Sequence, residues 1–175
     1  MLFRYSGNKR KLLNHLRIDI PYKRAVEPYL GSGAFLLSTD KPGLGIDLNP
    51  DIVNIWNFLK TTTIDRLEYL AELVEKNKTN KTSVKDLDIS DAEKQYIRIN
   101  CAGVYVGQLS SWKLYPQHHL PVHKTIIALP KLQDIEILLG EASLYLSHQK
   151  DGDLVFIDPP YMNTDPNYVI KSTKT

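Results

Sequence analysis

Asp158-Pro159-Pro160-Tyr161 is the stretch of this sequence best suited to chemistry. The run from Leu154 to Ile157 that leads into it is short, apolar and partly β-branched, which reads as a buried strand. Proline cannot donate to a strand ladder and keeps the neighbouring backbone extended, so Asp158 falls at the carboxyl end of that strand. Open α/β sheets bind their ligands there. Asp158 and the carbonyl of Pro159 are acceptors for the two hydrogens of a planar amine. Held in that way, the nitrogen lone pair leaves conjugation and can be aimed at an electrophile. Tyr161 could stack on the ring that carries the amine.

Two further stretches suit a nucleoside. Ala25-Val26 reads as a strand running into Glu27-Pro28-Tyr29, followed by Leu30-Gly31-Ser32-Gly33 and the apolar start of a helix. A glycine turn in that place lets a ligand approach the backbone. Taken alone it is a common pattern, and the third glycine of the dinucleotide fingerprint is missing. Gly45-Ile46-Asp47 reads as the next strand, ending in a carboxylate. Asp47 either takes the two hydroxyls of a ribose or serves only as the entry to the helix behind it. Its order after the glycine turn favours the ribose.

These residues need elements to position them. Four strands are expected, near Ala25, Gly45, Leu144 and Val155, with helices between them. That alternation argues for a parallel sheet covered on both faces. Asn49 caps a helix with Pro50 at its first position and Asp51 at its positive end, burying Ile52, Val53, Ile55, Trp56 and Leu59. An amphipathic helix is expected over Ile64 to Lys76, and a polar loop over Asn77 to Lys85. Ser90-Asp91-Ala92-Glu93 is a capping box that opens a helix toward Val106. Leu129 to Leu139 is expected to form a helix stopped by Gly140. Lys9 to Leu16, after the turn signal Ser6-Gly7-Asn8, is a short helix whose first amides could receive a negative group beside Lys9.

The chain has 175 residues, enough for one domain with a core, and a net charge of +2. No apolar run reaches membrane-spanning length and no signal-peptide pattern opens the chain. The single cysteine, Cys101, excludes an internal disulfide framework and a cysteine-rich zinc site, and fits a reducing cytoplasm. Cations crowd residues 1–24, where Arg4, Lys9, Arg10, Lys11, Arg17, Lys23 and Arg24 face Asp19 alone. This is a solvated face or an attraction for phosphate. Gly107 to Lys124 mixes Trp112 and Tyr115 with Lys113, Lys124, His118, His119 and His123. Aromatic and basic residues together suit bases and phosphates. No carboxylate or cysteine beside the histidines completes a metal site, so no metal is expected.

In their order, these stretches resemble the Dam-type, alpha-group DNA adenine-N6 methyltransferases. The matching residues are Tyr5-Ser6-Gly7-Asn8-Lys9-Arg10-Lys11-Leu12-Leu13, Val26-Glu27-Pro28-Tyr29-Leu30-Gly31-Ser32-Gly33-Ala34, Gly45-Ile46-Asp47-Leu48-Asn49-Pro50-Asp51 and Val155-Phe156-Ile157-Asp158-Pro159-Pro160-Tyr161. The resemblance implies a Rossmann-like parallel sheet of the class I methyltransferase kind and S-adenosylmethionine as cofactor. Tyr5, Gly7, Lys9, Glu27, Pro28, Gly31, Gly33, Asp47, Leu48 and Asp158 are then the cofactor-binding residues. Asp158, Pro159, Pro160 and Tyr161 are the catalytic motif. Residues 1–75 and 125–175 would form the catalytic domain, and residues 76–124 a small helical target-recognition insertion. Double-stranded DNA is the implied partner, touched by Arg10, Lys11, Trp112, Lys113 and Tyr115. The setting would be the cytoplasm of a bacterial or phage-infected cell, with restriction–modification among the roles.

The Asp-Pro-Pro-Tyr motif is shared with enzymes acting on cytosine N4 or RNA, so these substrates stay open beside adenine. A non-catalytic cofactor- or DNA-binding module is the alternative outside enzymes. The resembled family continues past this motif with further strands. The expectation is therefore that the reading frame continues beyond Thr175, or that a second polypeptide supplies the remainder.

Overall fold

The computed structural model describes residues 2–5, 9–13, 15–16, 18–105 and 108–159. For residues 10, 103–105 and 108–111 it describes the backbone alone. Gly7, Pro160 and Tyr161 of the expected site lie outside the described residues.

A four-stranded parallel sheet carries the fold. Its strands are β1 (Arg24–Glu27), β2 (Gly43–Asp47), β5 (Ile135–Leu139) and β6 (Asp153–Val155), in the order β5-β2-β1-β6. The register sets Val26 opposite Leu44 on one side and Val155 on the other. Glu27 and Asp47 thus end neighbouring strands, and Asp158 lies just past the end of the third. This is the α/β, Rossmann-like arrangement read from the sequence.

One face of the sheet holds the main core. It is built from α2 (Pro50–Thr61), α3 (Ile64–Lys78), α4 (Asp91–Cys101) and α5 (Val122–Gln133), all following the four-residue α1 (Arg10–Leu13). Trp56, Tyr96, Phe3, Phe35 and Leu59 are fully buried there. Each large apolar side chain so buried stabilises by about 1.5–3 kcal/mol. The start of α2 is fixed by Asn49, whose side chain accepts from the Asp51 N–H at 2.9 Å. The Ser90–Glu93 capping box starts α4, and Glu93 also holds Arg66 through two hydrogen bonds of 2.6 and 3.0 Å. The opposite face is smaller. Val26, Leu44 and Ile46 are covered there by Leu144 and Tyr145 of a 3-10 helix, Ala142–Ser147.

Three local expectations are corrected. The expected strand near Leu144 is that 3-10 helix, and the third parallel strand is Ile135–Leu139, placed in the sequence reading at the end of a helix. Ile135 to Leu139 is a continuous apolar run apart from Glu136, and it pairs with all five residues of β2, which outweighs its helical spacing. The helix before it runs from Val122 and includes Pro130. The sequence reading began this helix only at Leu129. Burial of Thr125 and Leu132 keeps the helix continuous instead. The helix from Ser90 stops at Cys101, and an antiparallel hairpin follows: β3 (Ala102–Tyr105) with β4 (Gln108–Leu114).

The segment 76–124 is not set apart by packing. Tyr96, Ile97, Ile99, Cys101 and Leu114 share one buried cluster with Trp56, Leu59, Leu67 and Leu70.

Candidate active site

The glycine turn is built by the strands it joins. The Leu30 N–H donates to the Ile46 carbonyl at 2.9 Å, and the Gly33 N–H closes the turn on the Leu30 carbonyl at 2.7 Å. Gly31 has φ +44° and Gly33 φ +61°, the left-handed region that favours glycine. Space gives a second reason. A Cβ on Gly31 would lie 2.6 Å from the Tyr5 ring, and one on Gly33 2.2 Å from the Trp56 indole. Trp56 Nε1 donates to the Gly31 carbonyl at 3.0 Å, so a buried core residue fixes the turn.

Asp47 ties the turn to the second strand. Its Oδ2 accepts from the Gly31 N–H and its Oδ1 from the Asn49 N–H, both at 2.8 Å. Burial raises the Asp47 pKa, and the Asn49 and Gly31 amides oppose that rise. Leu48, the next residue, is 45% exposed and leaves an apolar surface beside the carboxylate. Pro28 is buried behind the turn.

Glu27 is deeper, at 5% exposure. Its Oε2 accepts from the Leu36 N–H at 3.2 Å. Burial pushes its pKa up to about 8 against the pull of the Leu36 and Phe35 amides, and the charges of Asp158 and Asp47 add to the rise. Asp158 is half-buried, and the exposed Pro159 follows it. The strand end beneath them is anchored by Phe156, whose N–H donates to the Val26 carbonyl at 2.8 Å and whose ring stacks on Phe35 at 5.0 Å. Lys9 completes the group with an ion pair of 2.9 Å to Asp158. Tyr5, Lys9, Glu27, Gly31, Gly33, Asp47 and Asp158, far apart in sequence, are thus gathered at one edge of the sheet. The chemistry this edge offers is a carboxylate-rich rim beside an approachable backbone. It suits a ligand with hydroxyls and a positive charge.

The residues expected at DNA are spread more widely. Lys11 is exposed on α1, and of Arg10 the helical backbone is described. Tyr115 and Lys113 are exposed at the end of the hairpin. Trp112 is half-buried, with the Arg98 guanidinium 4.1 Å and the Lys85 ammonium 5.1 Å from its ring centre. The sequence reading missed Lys85 and Arg98. No local pattern marks them, because only the tertiary fold brings them to Trp112. Trp112 also walls a cleft of about 230 Å³ with Asp51, Asn54, Asp91, Ala92, Lys94 and Gln95.

The histidines separate from one another. His119 pairs with Glu75 at 2.8 Å, His118 packs on Tyr115, and His123 lies exposed on α5. Among the described residues no three His, Cys, Asp or Glu side chains cluster as metal ligands do, and no helix is long and apolar enough to cross a membrane.

Comparison with known proteins points one way. The family profile of the D12 class N6 adenine-specific DNA methyltransferases matches residues 5–100. The chain is 25% identical over 188 residues to the type II methyltransferase M1.LlaDCHI of Lactococcus lactis subsp. cremoris, covering 91% of this chain and 64% of that protein. It is 25% identical over 187 residues to the retron Ec67 DNA adenine methylase of Escherichia coli, covering 95% of this chain and 65% of the relative. A shorter match, 38% over 60 residues, links it to a DNA adenine methylase of Vibrio cholerae serotype O1, over 33% of this chain and 22% of that one. The chain therefore spans just under two thirds of the length of the first two relatives.

Proposed function

Because the chain belongs to the D12 class N6 adenine-specific DNA methyltransferase family, we propose that it transfers a methyl group from S-adenosylmethionine to the N6 amino group of adenine in double-stranded DNA. One observation carries this reading: Glu27, Asp47 and Asp158 converge at the carboxyl ends of three adjacent parallel strands, around the Gly31–Gly33 turn. The residues present fit the cofactor. Each Asp47 oxygen accepts one backbone N–H and keeps an acceptor position for a ribose hydroxyl. The bare glycine backbone admits close approach, and the acidic rim suits a sulfonium cation. When bound, the cofactor supplies an electrophilic methyl group.

The chain's own residues do the rest. Asp47 orients the ribose, with Leu48 and Pro28 lining its surroundings. Tyr5, Gly7 and Lys9 belong to the amino-terminal motif that would contact the cofactor. Asp158 and the Pro159 carbonyl hold the two amine hydrogens, with Pro160 and Tyr161 the remaining members of the same catalytic motif. The adenine must leave the helix stack to reach them. Positioning and preorganised acceptors supply the rate, with no covalent intermediate. Cys101 fits that scheme: it is buried, and burial pushes its thiol up to about 12, so no thiolate forms.

Residues 76–124 would meet the DNA through Trp112, Lys113 and Tyr115, with Arg10 and Lys11 on phosphates. The likeness to a type II methyltransferase supports a restriction–modification role in a bacterial cytoplasm. The test is transfer of labelled methyl from S-adenosylmethionine to unmethylated duplex DNA, followed by nucleoside analysis. N6-methyladenine is the expected product. Label found only in methylcytosine, or on RNA in preference to DNA, would refute the assignment.

A further inference from the structure

The Lys9–Asp158 ion pair sits where the methyl acceptor must go. The Lys9 ammonium lies 2.9 Å from Asp158 Oδ2, an oxygen the target amine would use. A cation fixed there also repels a sulfonium. We propose that Lys9 covers Asp158 in the ligand-free protein and that the methyl donor uncovers it: the donor's amino-acid carboxylate takes Lys9 and withdraws it from the Asp158 oxygen that the adenine amine would use. This exchange rests on the methyltransferase reading above.

Three features of the fold support it. Lys9 reaches the site on a segment anchored at the glycine turn, with Leu2 and Phe3 buried, Phe3 edge-on to Trp56 at 6.2 Å, and Tyr5 against Gly31. The cation is thus delivered beside the surface on which the donor would lie. Both side chains of the pair are 23% exposed, so water screens it and a competing carboxylate can replace it. Arg24–Asp153 is the contrasting case at the far end of the same strands. Its side chains are 10% and 3% exposed, far less than those of the Lys9–Asp158 pair. That pair is a fixed tie. The exchange also conserves charge, since one carboxylate replaces another on a flexible four-carbon arm. Lys9 is then a positioning residue. Donor binding precedes capture of the base because the donor uncovers the acceptor.

The experiment follows the Asp158 side-chain carboxyl by NMR in protein labelled with ¹³C-aspartate, the signal being assigned by its loss in Asp158→Asn. Two ligands are added, each shown by calorimetry to bind: S-adenosylhomocysteine, and 5′-methylthioadenosine, which lacks the amino-acid group. In the wild type, S-adenosylhomocysteine is expected to move the Asp158 signal to its position in Lys9→Met. 5′-Methylthioadenosine is expected to leave it in place. Lys9→Met should lose about tenfold of the preference for S-adenosylhomocysteine over 5′-methylthioadenosine, and Lys9→Arg should keep it. Bound S-adenosylhomocysteine with an unmoved signal, or an equal shift with 5′-methylthioadenosine, overturns the exchange alone. Failure of both ligands to bind overturns the methyl-donor reading and the exchange with it.

Discussion

Replacing Glu27 by glutamine isolates the most perturbed group of the site. Glu27 is 5% exposed, and burial, with the charges of Asp158 and Asp47, takes its pKa from 4.5 to about 8. The folded protein therefore binds a proton that the unfolded chain releases between those values. Stability from this group is fully present below pH 4.5 and is lost as pH rises through about 8. The slope is roughly 1.4 kcal/mol per pH unit, or on the order of 3 kcal/mol between about pH 5 and about pH 8. Glutamine keeps the shape and an oxygen for the Leu36 amide but cannot ionise. Urea unfolding of both proteins across that range gives the difference directly and cancels the other titrating groups. The two should be of similar stability near pH 5, and Glu27→Gln should become the more stable as pH rises. Parallel curves through about pH 8 would refute the reasoning. They would mean that the Leu36 and Phe35 amides outweigh burial and keep Glu27 ionised in the fold.

Other perturbations follow from the same geometry. Gly33→Ala meets both a left-handed φ of +61° and a Cβ position 2.2 Å from the buried Trp56 indole. A loss of about 2–4 kcal/mol in urea unfolding is expected, from backbone strain plus overpacking. Asp153→Asn leaves Arg24, 8% exposed, without its carboxylate, and should cost about 3 kcal/mol near neutral pH. The Arg24 bond holds Asp153 below the usual carboxylate range, so its contribution is present above the unfolded pKa and vanishes as pH falls through the folded one. The unfolding curves of Asp153→Asn and wild type should converge there. DNA binding, measured by fluorescence anisotropy, should weaken steeply with salt. Lys11→Ala should lower the slope of log K against log salt by about 1. An unchanged slope would remove Lys11 from the interface.

Where local chemistry settles structure, the sequence was legible. Gly31 and Gly33 take the left-handed conformations the turn requires, Asn49 and Ser90 cap the helices they announce, and Asp47 stands at the strand end assigned to it. The last part of the chain was harder. The helix expected from Leu129 begins instead at Val122, because burial of Thr125 and Leu132 decides it. Ile135 to Leu139 fits helix or strand by spacing alone, and its parallel partner β2 lies about ninety residues earlier. Leu144 was read as strand although its burial comes from covering β2 side-on. Within the site, the convergence of carboxylates was visible, but the cation on Asp158 was not. Lys9 could be placed near the cofactor by resemblance, while its pairing with Asp158 depends on how the amino-terminal segment folds over the turn. Arg98 and Lys85 on Trp112 are unreadable for the same reason.

The most direct test of the central claim compares the wild type with Asp158→Asn, which preserves shape and removes the charge that holds the amine. Both are incubated with S-adenosylmethionine and unmethylated duplex DNA, and N6-methyladenine is quantified by mass spectrometry of the nucleosides. The account predicts product from the wild type and a loss of at least about a hundredfold in Asp158→Asn, with circular dichroism close to wild type. Undiminished N6-methyladenine from Asp158→Asn would contradict it.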